Sequence, residues 1–334
     1  MRMTKSLGKK LAVLLSAAVL AGSFTGCGLL QNTEIVFTTG LSGNQLFKIG
    51  KSVCTLPEAM IYVMDYQRQY EGVYGVEMWE HDFGGVTFEE YVKDTIVDQL
   101  ASMKAITLLA GDYDVALSSD EENQVSQAAQ EYFDALSTDQ IEYMDLELKD
   151  VEGLYRDHAL SGKVYEEITK DVNTEVSDDE ARIITVQQIR LDSSETAQTV
   201  KEQLDSGRDF AAVASAYSLD SQITYTFGRG EHDSAYEEAA FVLENDQVSD
   251  IIETEDGYYI LKCVNNFDQE ATEANKITMV EKRRDELFES VYDQLVAETP
   301  SQFNSRLWGK VHFADWTGEM PPDFLGIYEQ YLGT

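Results

Sequence analysis

The sequence contains few of the residues that build repetitive or metal-bound structures. Four prolines and 22 glycines are scattered over 334 residues, which excludes a low-complexity stalk. The four histidines, His81, His158, His232 and His312, lie at no metal-ligand spacing, and no C-x-x-C or H-E-x-x-H motif occurs. We therefore expect neither a metal site nor a cofactor.

Basic residues are also scarce, because 25 Lys and Arg residues face 61 Asp and Glu residues. The formal net charge is −36, and removing residues 1–26, which carry four positive charges and no negative ones, would make it −40. A chain this acidic repels phosphate backbones, so nucleic acid is an improbable partner. The same charge argues against a basic patch that holds the protein to anionic lipid.

The apolar run near the N-terminus is too short for a membrane-spanning helix. Leu11–Phe24 has 14 residues, and a helix of that length covers about 21 Å of a hydrocarbon core that is about 30 Å thick. The run follows a basic segment and ends in Thr25-Gly26-Cys27, which resembles the lipobox of a bacterial lipoprotein signal. This predicts a signal peptide at residues 1–26 and lipid attachment to Cys27. The alternatives are an ordinary secretory signal with a chance cysteine or an uncleaved anchor. All three place the rest of the chain outside the cytoplasmic membrane.

The remaining length is sufficient for two domains. Cys54 and Cys263 are far apart in segments of different character, so a disulfide between them is possible but unsupported. The expected boundaries are an N-terminal helical lobe at 27–176, a second domain at 177–268, and a C-terminal helix and tail at 269–334 that return to the helical lobe.

Helix-start signals dominate the segment before residue 177. Capping boxes occur at Thr55–Glu58, Ser119–Glu122 and Ser137–Gln140, and the helix that the first one opens is expected to end at Gly72. Leu46–Val53 predicts a small hairpin or an extended entry to that helix. One apolar helix face is formed by residues that recur at three- and four-residue spacing, which are Val92, Ile96, Leu100, Met103, Ile106 and Leu109. The aromatic and methionine positions of this lobe are expected to belong to its core rather than to a cofactor site.

From residue 177 the pattern becomes mixed. It predicts the order β-α-α-α-β-β, with elements at Ile183–Leu191, Ser194–Ser206, Phe210–Tyr217, Ala235–Leu243, Val248–Glu253 and Tyr258–Val264. Asp256-Gly257 favours a hairpin turn between the last two strands. A long polar helix follows at roughly 271–298, and the aromatic residues after it, including Trp308 and Trp316, need apolar cover from the helical lobe.

Several dispersed motifs in the second domain resemble the parvulin-type peptidyl-prolyl isomerases, flanked as in the PrsA-type and SurA-like extracellular foldases. The matching stretches are Phe210–Ala214, Tyr217–Asp220, Phe227–Gly230, Tyr236–Phe241 and Thr254–Ile260. They cover about residues 180–266. The resemblance implies an α+β protein in which a parvulin-like domain is inserted into a helical, client-binding lobe.

The chain departs from the family pattern at three site positions. Family members usually carry two facing core histidines, which Gln188 and Tyr259 replace here, and the apolar methionine that contacts the substrate proline aligns with His232. An amide and a phenol can replace a neutral histidine pair as donor and acceptor. Gln188 and Tyr259 are therefore expected to exchange a hydrogen bond in the sheet, or else merely to fill the core.

The resemblance also implies roles for the residue types that remain. Asp220 would act with Gln188 and Tyr259 in catalysis, by giving an electrostatic bias toward the substrate carbonyl. The substrate-binding residues would be Phe227, His232, Tyr236 and Thr254, with Phe227 and Tyr236 forming an apolar cup and His232 at its rim.

The function implied is that of a lipid-anchored foldase on the outer face of the bacterial cytoplasmic membrane. It would assist unfolded or partly folded secreted polypeptides through weak prolyl isomerisation and chaperone action. One alternative is a degenerate parvulin-fold scaffold that is not catalytic. A less favoured alternative is a solute-binding lipoprotein, which would show strand and helix alternation throughout, whereas the helices here are concentrated before residue 177.

Overall fold

The computed structural model describes residues 41, 43–82 and 84–333. Cys27 and the predicted signal peptide lie outside the described residues. Contacts divide the described residues into two compact units, a helical unit that runs from residue 41 to 170 and from 287 to 333, and a mixed unit of residues 171–286. None of the helices within the described part of the chain is long and apolar enough to cross a membrane.

The described residues contain twelve α-helices and seven strands. Helices α1 to α12 are Leu56–Tyr74, Phe88–Leu109, Ser119–Asp134, Thr138–Met144, Leu148–Thr169, Asp178–Ala181, Ser194–Asp205, Phe210–Tyr217, Ser234–Phe241, Gln269–Glu298, Ser305–Trp308 and Phe324–Leu332. Strands β1 to β7 are Gln45–Ile49, Ser52–Thr55, Ile184–Leu191, Thr224–Phe227, Ile252–Thr254, Gly257–Asn265 and Ser301–Phe303. Short 3₁₀ helices occupy Val76–Glu80 and Phe313–Asp315. The predicted fold class, a helical lobe with an inserted parvulin-like α+β domain, is confirmed.

Capping sets the helix starts in the helical unit, with small shifts from the predicted positions. The Thr55 backbone N–H donates to Glu58 Oε2 at 2.6 Å, as the first capping box predicts. The second box begins one residue earlier than predicted, because the Ser118 side chain accepts from the Glu121 N–H. Helix α1 also continues past Gly72 to Tyr74, since the chain reaches positive φ only at Gly75, where φ is 78°.

Three C-terminal aromatic residues, Trp308, Phe313 and Phe324, are buried in the core of the helical unit. The Trp79 and Phe313 ring centroids are 4.2 Å apart, and those of Tyr155 and Phe324 are 4.4 Å apart. Tyr155 OH also donates to the Phe324 carbonyl oxygen at 2.8 Å. Trp308 belongs to the same core cluster. The core of the helical unit is therefore completed by contacts between residues that are far apart in the sequence.

A three-stranded antiparallel sheet, in the order β2-β1-β7, lies in the helical unit. The hairpin of β1 and β2 agrees with the segment predicted at Leu46–Val53. Strand β7 was missed, because its three half-buried residues have no periodic pattern and depend on Phe47–Ile49 for pairing.

The mixed unit contains a four-stranded antiparallel sheet in the order β4-β3-β6-β5. Helices α7 and α8 pack on the face that carries Ile189 and Ile260, and α9 packs on the face that carries Val186 and Leu261. Strand β4 lies in a segment predicted to be a loop. It is an exposed edge strand whose backbone pairs with residues 184–187, and its sequence alternation is too short to reveal it.

The hairpin of β5 and β6 is present, but β5 covers Ile252–Thr254 only. Val248 makes an isolated bridge with Lys262 instead of starting the strand. Gly257 closes the turn with φ of 131°, and a Cβ at this position would lie 2.5 Å from the Leu191 carbonyl oxygen. Only glycine fits this turn without moving β3. The two remaining cysteines, Cys54 and Cys263, are buried free thiols.

Candidate functional site

The candidate site is built on the sheet face that α9 covers. Side chains alternate across a strand, so Gln188 and Arg190 of β3 share the face of Val186. Tyr259 of β6 is paired with Arg190 and lies on the same face. Helix α9 adds Tyr236, which packs with Val186 in one cluster. Residues from four parts of the domain therefore meet on this face once the loop that carries Asp220 is included.

A chain of hydrogen bonds joins these side chains. Tyr236 OH donates to Gln188 Oε1 at 2.7 Å, and Gln188 Nε2 donates to Asp220 Oδ2 at 2.8 Å. Arg190 Nη1 donates to Asp220 Oδ1 at 3.3 Å. Both oxygens of the carboxylate are thus engaged, and its negative charge is opposed by the guanidinium.

These contacts and the burial of the site shift the pKa values of two of its side chains, Arg190 and Tyr236. The hydrogen bond from Arg190 to Asp220 raises the pKa of the guanidinium, with Tyr259 as the next contribution. Burial raises the pKa of the Tyr236 phenol well above its usual value, so it remains a neutral donor at physiological pH. Gln188 has no titratable proton. Tyr236 and Gln188 therefore keep one protonation state near neutral pH.

Backbone contacts fix the loop that carries Asp220. The Leu219 N–H donates to the Arg190 carbonyl oxygen at 2.9 Å. Ser218 Oγ accepts from the backbone N–H groups of Arg190 and Asp220, at 3.2 and 3.3 Å. The Asp220 carboxylate is held beside β3 by three consecutive residues, and its side chain remains about one-fifth exposed, at 21%.

The aromatic residues expected to form a cup lie beneath His232. Phe227 and Tyr236 are each only 3% exposed. The exposed His232 ring stacks on Tyr236 at 4.7 Å between centroids and meets Phe227 edge to face at 4.4 Å. His232 therefore covers the two rings, and a bound proline would contact them only if His232 moved aside.

Gln188 and Tyr259 do not form the hydrogen bond expected from the sequence. In the register of β3 and β6, Gln188 is opposite Leu261, which places Tyr259 diagonally from it. The amide is instead occupied by Tyr236 and Asp220, while the Tyr259 ring meets the Tyr236 ring edge to face at 5.3 Å. Burial raises the pKa of Tyr259.

Thr254 is engaged in its own hairpin turn. Its Oγ1 donates to the Gly257 carbonyl oxygen and accepts from the Asp256 N–H, both at 3.2 Å. These contacts stabilise the β5–β6 turn. The structure thus brings Asp220, Gln188, Tyr236, Phe227 and His232 together, with Tyr259 beside them, and gives Thr254 a position in the turn.

Arg190 is the site residue that sequence reasoning missed. The available signal was strand alternation, because a residue two positions after Gln188 on β3 must lie on the same face. That its charge pairs with Asp220 depends on the path of the loop, which the alternation does not reveal.

The same part of the chain has similar counterparts among known proteins. Residues 179–265 match the rotamase family described as the PPIC-type PPIASE domain. The chain is 23% identical over 317 residues to the foldase protein PrsA of Caldanaerobacter subterraneus subsp. tengcongensis, covering 88% of this chain and 96% of that protein. It is 36% identical over 88 residues to the foldase protein PrsA 1 of Listeria monocytogenes, covering 24% of this chain and 30% of that protein.

A solved structure is also similar. The peptidylprolyl isomerase PrsA from Bacillus cereus is 19% identical and covers 75% of this chain and 95% of that chain, with a TM-score of 0.38. The family match at residues 179–265 and the curated relatives show that the chain contains a parvulin-type peptidyl-prolyl isomerase domain of the PPIC family and is similar over most of its length to the PrsA foldases.

Proposed function

We propose that this protein is a lipid-anchored extracytoplasmic foldase that isomerises prolyl bonds in unfolded or partly folded secreted polypeptides. The proposal is supported by the parvulin-type domain and by similarity to PrsA foldases over 88% of the chain. The signal peptide predicted at residues 1–26, directly before Cys27, supports export and lipid attachment.

The observation that carries the isomerase proposal is the hydrogen-bonded chain Tyr236–Gln188–Asp220 with Arg190 beside it. Rotation of a peptide bond has a barrier of about 18–20 kcal/mol because the twisted amide loses resonance. No covalent bond to the enzyme is required, so a site that binds the twisted amide more tightly than the planar one is sufficient. Asp220 and Arg190 provide a pair of opposite charges joined to Tyr236 through Gln188, and they act on the carbonyl dipole as it turns.

The cover that His232 places on Phe227 and Tyr236 implies weak turnover. A proline ring gains contact with the two aromatic faces only after the imidazole has moved, and this displacement opposes binding. The same cover is the observation that favours the second candidate function, a parvulin-fold scaffold without catalysis.

The two candidates are separated by prolyl exchange measured by NMR on a proline-containing peptide with the full chain. We expect exchange above the uncatalysed rate, and Asp220→Asn should reduce it about tenfold, equivalent to about 1.4 kcal/mol of transition-state stabilisation. Asp192→Asn is the matched control, since Asp192 is an exposed aspartate directly after β3. If the wild-type chain gives no exchange but still suppresses aggregation of an unfolded protein, the scaffold function is correct.

The anchor is tested separately. Intact-mass analysis of the membrane fraction should give an acylated N-terminal Cys27 and no residues 1–26. Cys27→Ala should release the protein from the membrane, because the acidic chain offers no basic surface for anionic lipid. A Cys27→Ala protein that had lost residues 1–26 and still remained equally membrane-bound would contradict lipid anchoring.

A further inference from the structure

Four tyrosines form an aromatic ridge on the helical unit. Tyr66, Tyr70 and Tyr74 recur every fourth residue, which places them on one face of α1. Their ring centroids follow one another at 6.0 and 6.5 Å. Tyr91 of α2 joins through Phe88, whose centroid lies 6.2 Å from the Tyr91 ring. These four tyrosines are called the tyrosine ridge below.

The ridge has a rigid base and an exposed end. The Tyr70 ring lies 5.2 Å from Phe88 and 6.3 Å from Trp79, and Trp79 is buried against Phe313 in the core. At the other end Tyr74 is 65% exposed and Tyr91 is 45% exposed. The ring of Tyr70 is already held in place, and those of Tyr74 and Tyr91 stack on Tyr70 and Phe88. Binding of a ligand to Tyr74 and Tyr91 therefore costs the protein little additional side-chain entropy.

Exposed valines extend the apolar surface near the ridge. Val73 is 72% exposed, directly before Tyr74 in the chain, and Val76 and Val86 are also exposed. Single exposed apolar residues are ordinary, but several of them in the same short segment as two exposed aromatic rings are typical of a binding surface.

Acidic residues predominate in the sequence around the ridge, and the guanidinium of Arg68 on α1 is paired with the carboxylates of Asp65 and Asp323. Between residues 69 and 99 the sequence carries eight acidic residues and one lysine. That lysine, Lys93, is buried and donates to the backbone carbonyl oxygens of Trp308 and Val311. Glu77, Glu80, Asp94 and Asp98 are exposed. The exposed charges that belong to this segment are therefore all negative.

We infer that the tyrosine ridge binds extended client segments that combine Lys or Arg with aromatic or aliphatic side chains. This inference rests on the proposed foldase function and adds the location and the substrate class of client binding. Cations are attracted to the faces of Tyr74 and Tyr91 and to the surrounding carboxylates, while apolar side chains cover the valines. Nucleic acid, an anionic lipid surface and the same ridge of a second copy would each bring like charges together.

The test compares two unstructured peptides with the full chain at low salt. One peptide repeats Lys-Phe-Gly-Ser-Leu, and the other replaces each lysine with glutamate. We expect binding of the lysine peptide only, and weaker binding as salt is added. The double variant Tyr74→Ser with Tyr91→Ser should weaken it about fivefold to thirtyfold, since two cation–π contacts of about 0.5–1 kcal/mol each are lost. Tyr217→Ser, an exposed tyrosine of the mixed unit, is the matched control.

A second double variant, Glu77→Gln with Glu80→Gln, removes two negative charges and leaves the aromatic rings unchanged. It provides the test if the double tyrosine variant does not fold. It should weaken binding of the lysine peptide and reduce its salt dependence. The inference is overturned if neither peptide binds, if both bind equally, or if the ridge variants bind as the wild type does. It is also overturned if the ridge variants change the sedimentation of the protein from dimer to monomer, since a second copy would then be the occupant.

Prolyl exchange on a neutral proline peptide, measured on the same variants, separates this inference from the proposed isomerase. Loss of lysine-peptide binding with exchange unchanged supports the ridge as a client site distinct from the prolyl site. Absence of exchange in the wild type, with the binding differences intact, refutes the isomerase and leaves the ridge standing.

Discussion

Tyr236→Phe removes one hydroxyl from the candidate site and keeps the aromatic ring. The hydroxyl is the donor to Gln188 Oε1, and Gln188 is only 5% exposed. Its loss leaves a buried acceptor without a partner, which costs about 1–3 kcal/mol. We therefore expect the mixed unit to lose that amount of stability. Alanine is a poorer choice, because Tyr236 is itself part of the core, and removing its ring would cost about 3–5 kcal/mol.

The assay must report on the mixed unit alone. All three tryptophans, Trp79, Trp308 and Trp316, belong to the helical unit, so tryptophan fluorescence does not follow unfolding of the other one. Amide hydrogen exchange at Gln188 and Leu261, whose N–H groups donate to Ile223 O and Ser249 Oγ, reports on the central strands. Their protection should fall about fivefold to 150-fold.

Tyr225→Phe is the control for this substitution. Its hydroxyl donates to the Gln222 carbonyl oxygen at an exposed position, so the loss should stay within about 0.5 kcal/mol. Combining Tyr236→Phe with Gln188→Leu should cost less than the sum of the two, because the bond between them is removed only once. Equal protection in Tyr236→Phe and Tyr225→Phe, or full additivity in the double variant, would refute the hydrogen-bonded chain as a stabilising element.

Three further outcomes follow from the structure. Lys104 Nζ lies 2.6 Å from a carboxylate oxygen of Glu58 and 2.6 Å from one of Asp157, and Lys104→Met leaves both carboxylates without their buried cation. The helical unit should therefore lose about 3–5 kcal/mol of stability, measured by urea titration followed by tryptophan fluorescence. The pair of Lys163 with Glu121 is only partly buried, at 34% and 31% side-chain exposure, so Lys163→Met should cost at most about 1 kcal/mol, and equal losses would refute the burial argument. Burial, with Lys104 adding to it, lowers the pKa of His158 to about 4. The unfolded chain then takes up a proton below about pH 6.5 that the folded chain does not, so stability falls between pH 6.5 and 4, by about 3 kcal/mol from this group. His158→Gln should lose less stability than the wild type over that range, and parallel pH profiles would contradict the assignment. His232→Ala uncovers the rings of Phe227 and Tyr236, so it should lower the KM for a proline peptide in the NMR exchange assay. A raised KM would mean that His232 itself binds the substrate.

Local patterns in the sequence were sufficient for most of the secondary structure. The capping boxes at Thr55 and Ser137 predicted helix starts at the observed residues, and Ser119 was wrong by one position. These signals are reliable because a cap involves hydrogen bonds among four consecutive residues. The dispersed motifs likewise identified the parvulin-type domain, since each motif is short and their order along the chain is fixed.

The short strands required the tertiary structure. Strands β4 and β7 each have only three or four residues, and their backbone groups are satisfied by β3 and β1. A strand of that length carries too little alternation to be recognised, because its stability comes from the partner strand.

The hydrogen bonds of the candidate site were also determined by the tertiary structure. The sequence indicated that Gln188 and Tyr259 replace two histidines, but the strand register makes them diagonal neighbours. Gln188 instead bonds with Tyr236, 48 positions away, and with Asp220, 32 positions away. Residue types and strand alternation determined which side chains share a face. Only the packing of α9 and the loop path determined which polar atoms come within hydrogen-bonding distance, because those distances depend on contacts between segments with no local sequence relationship.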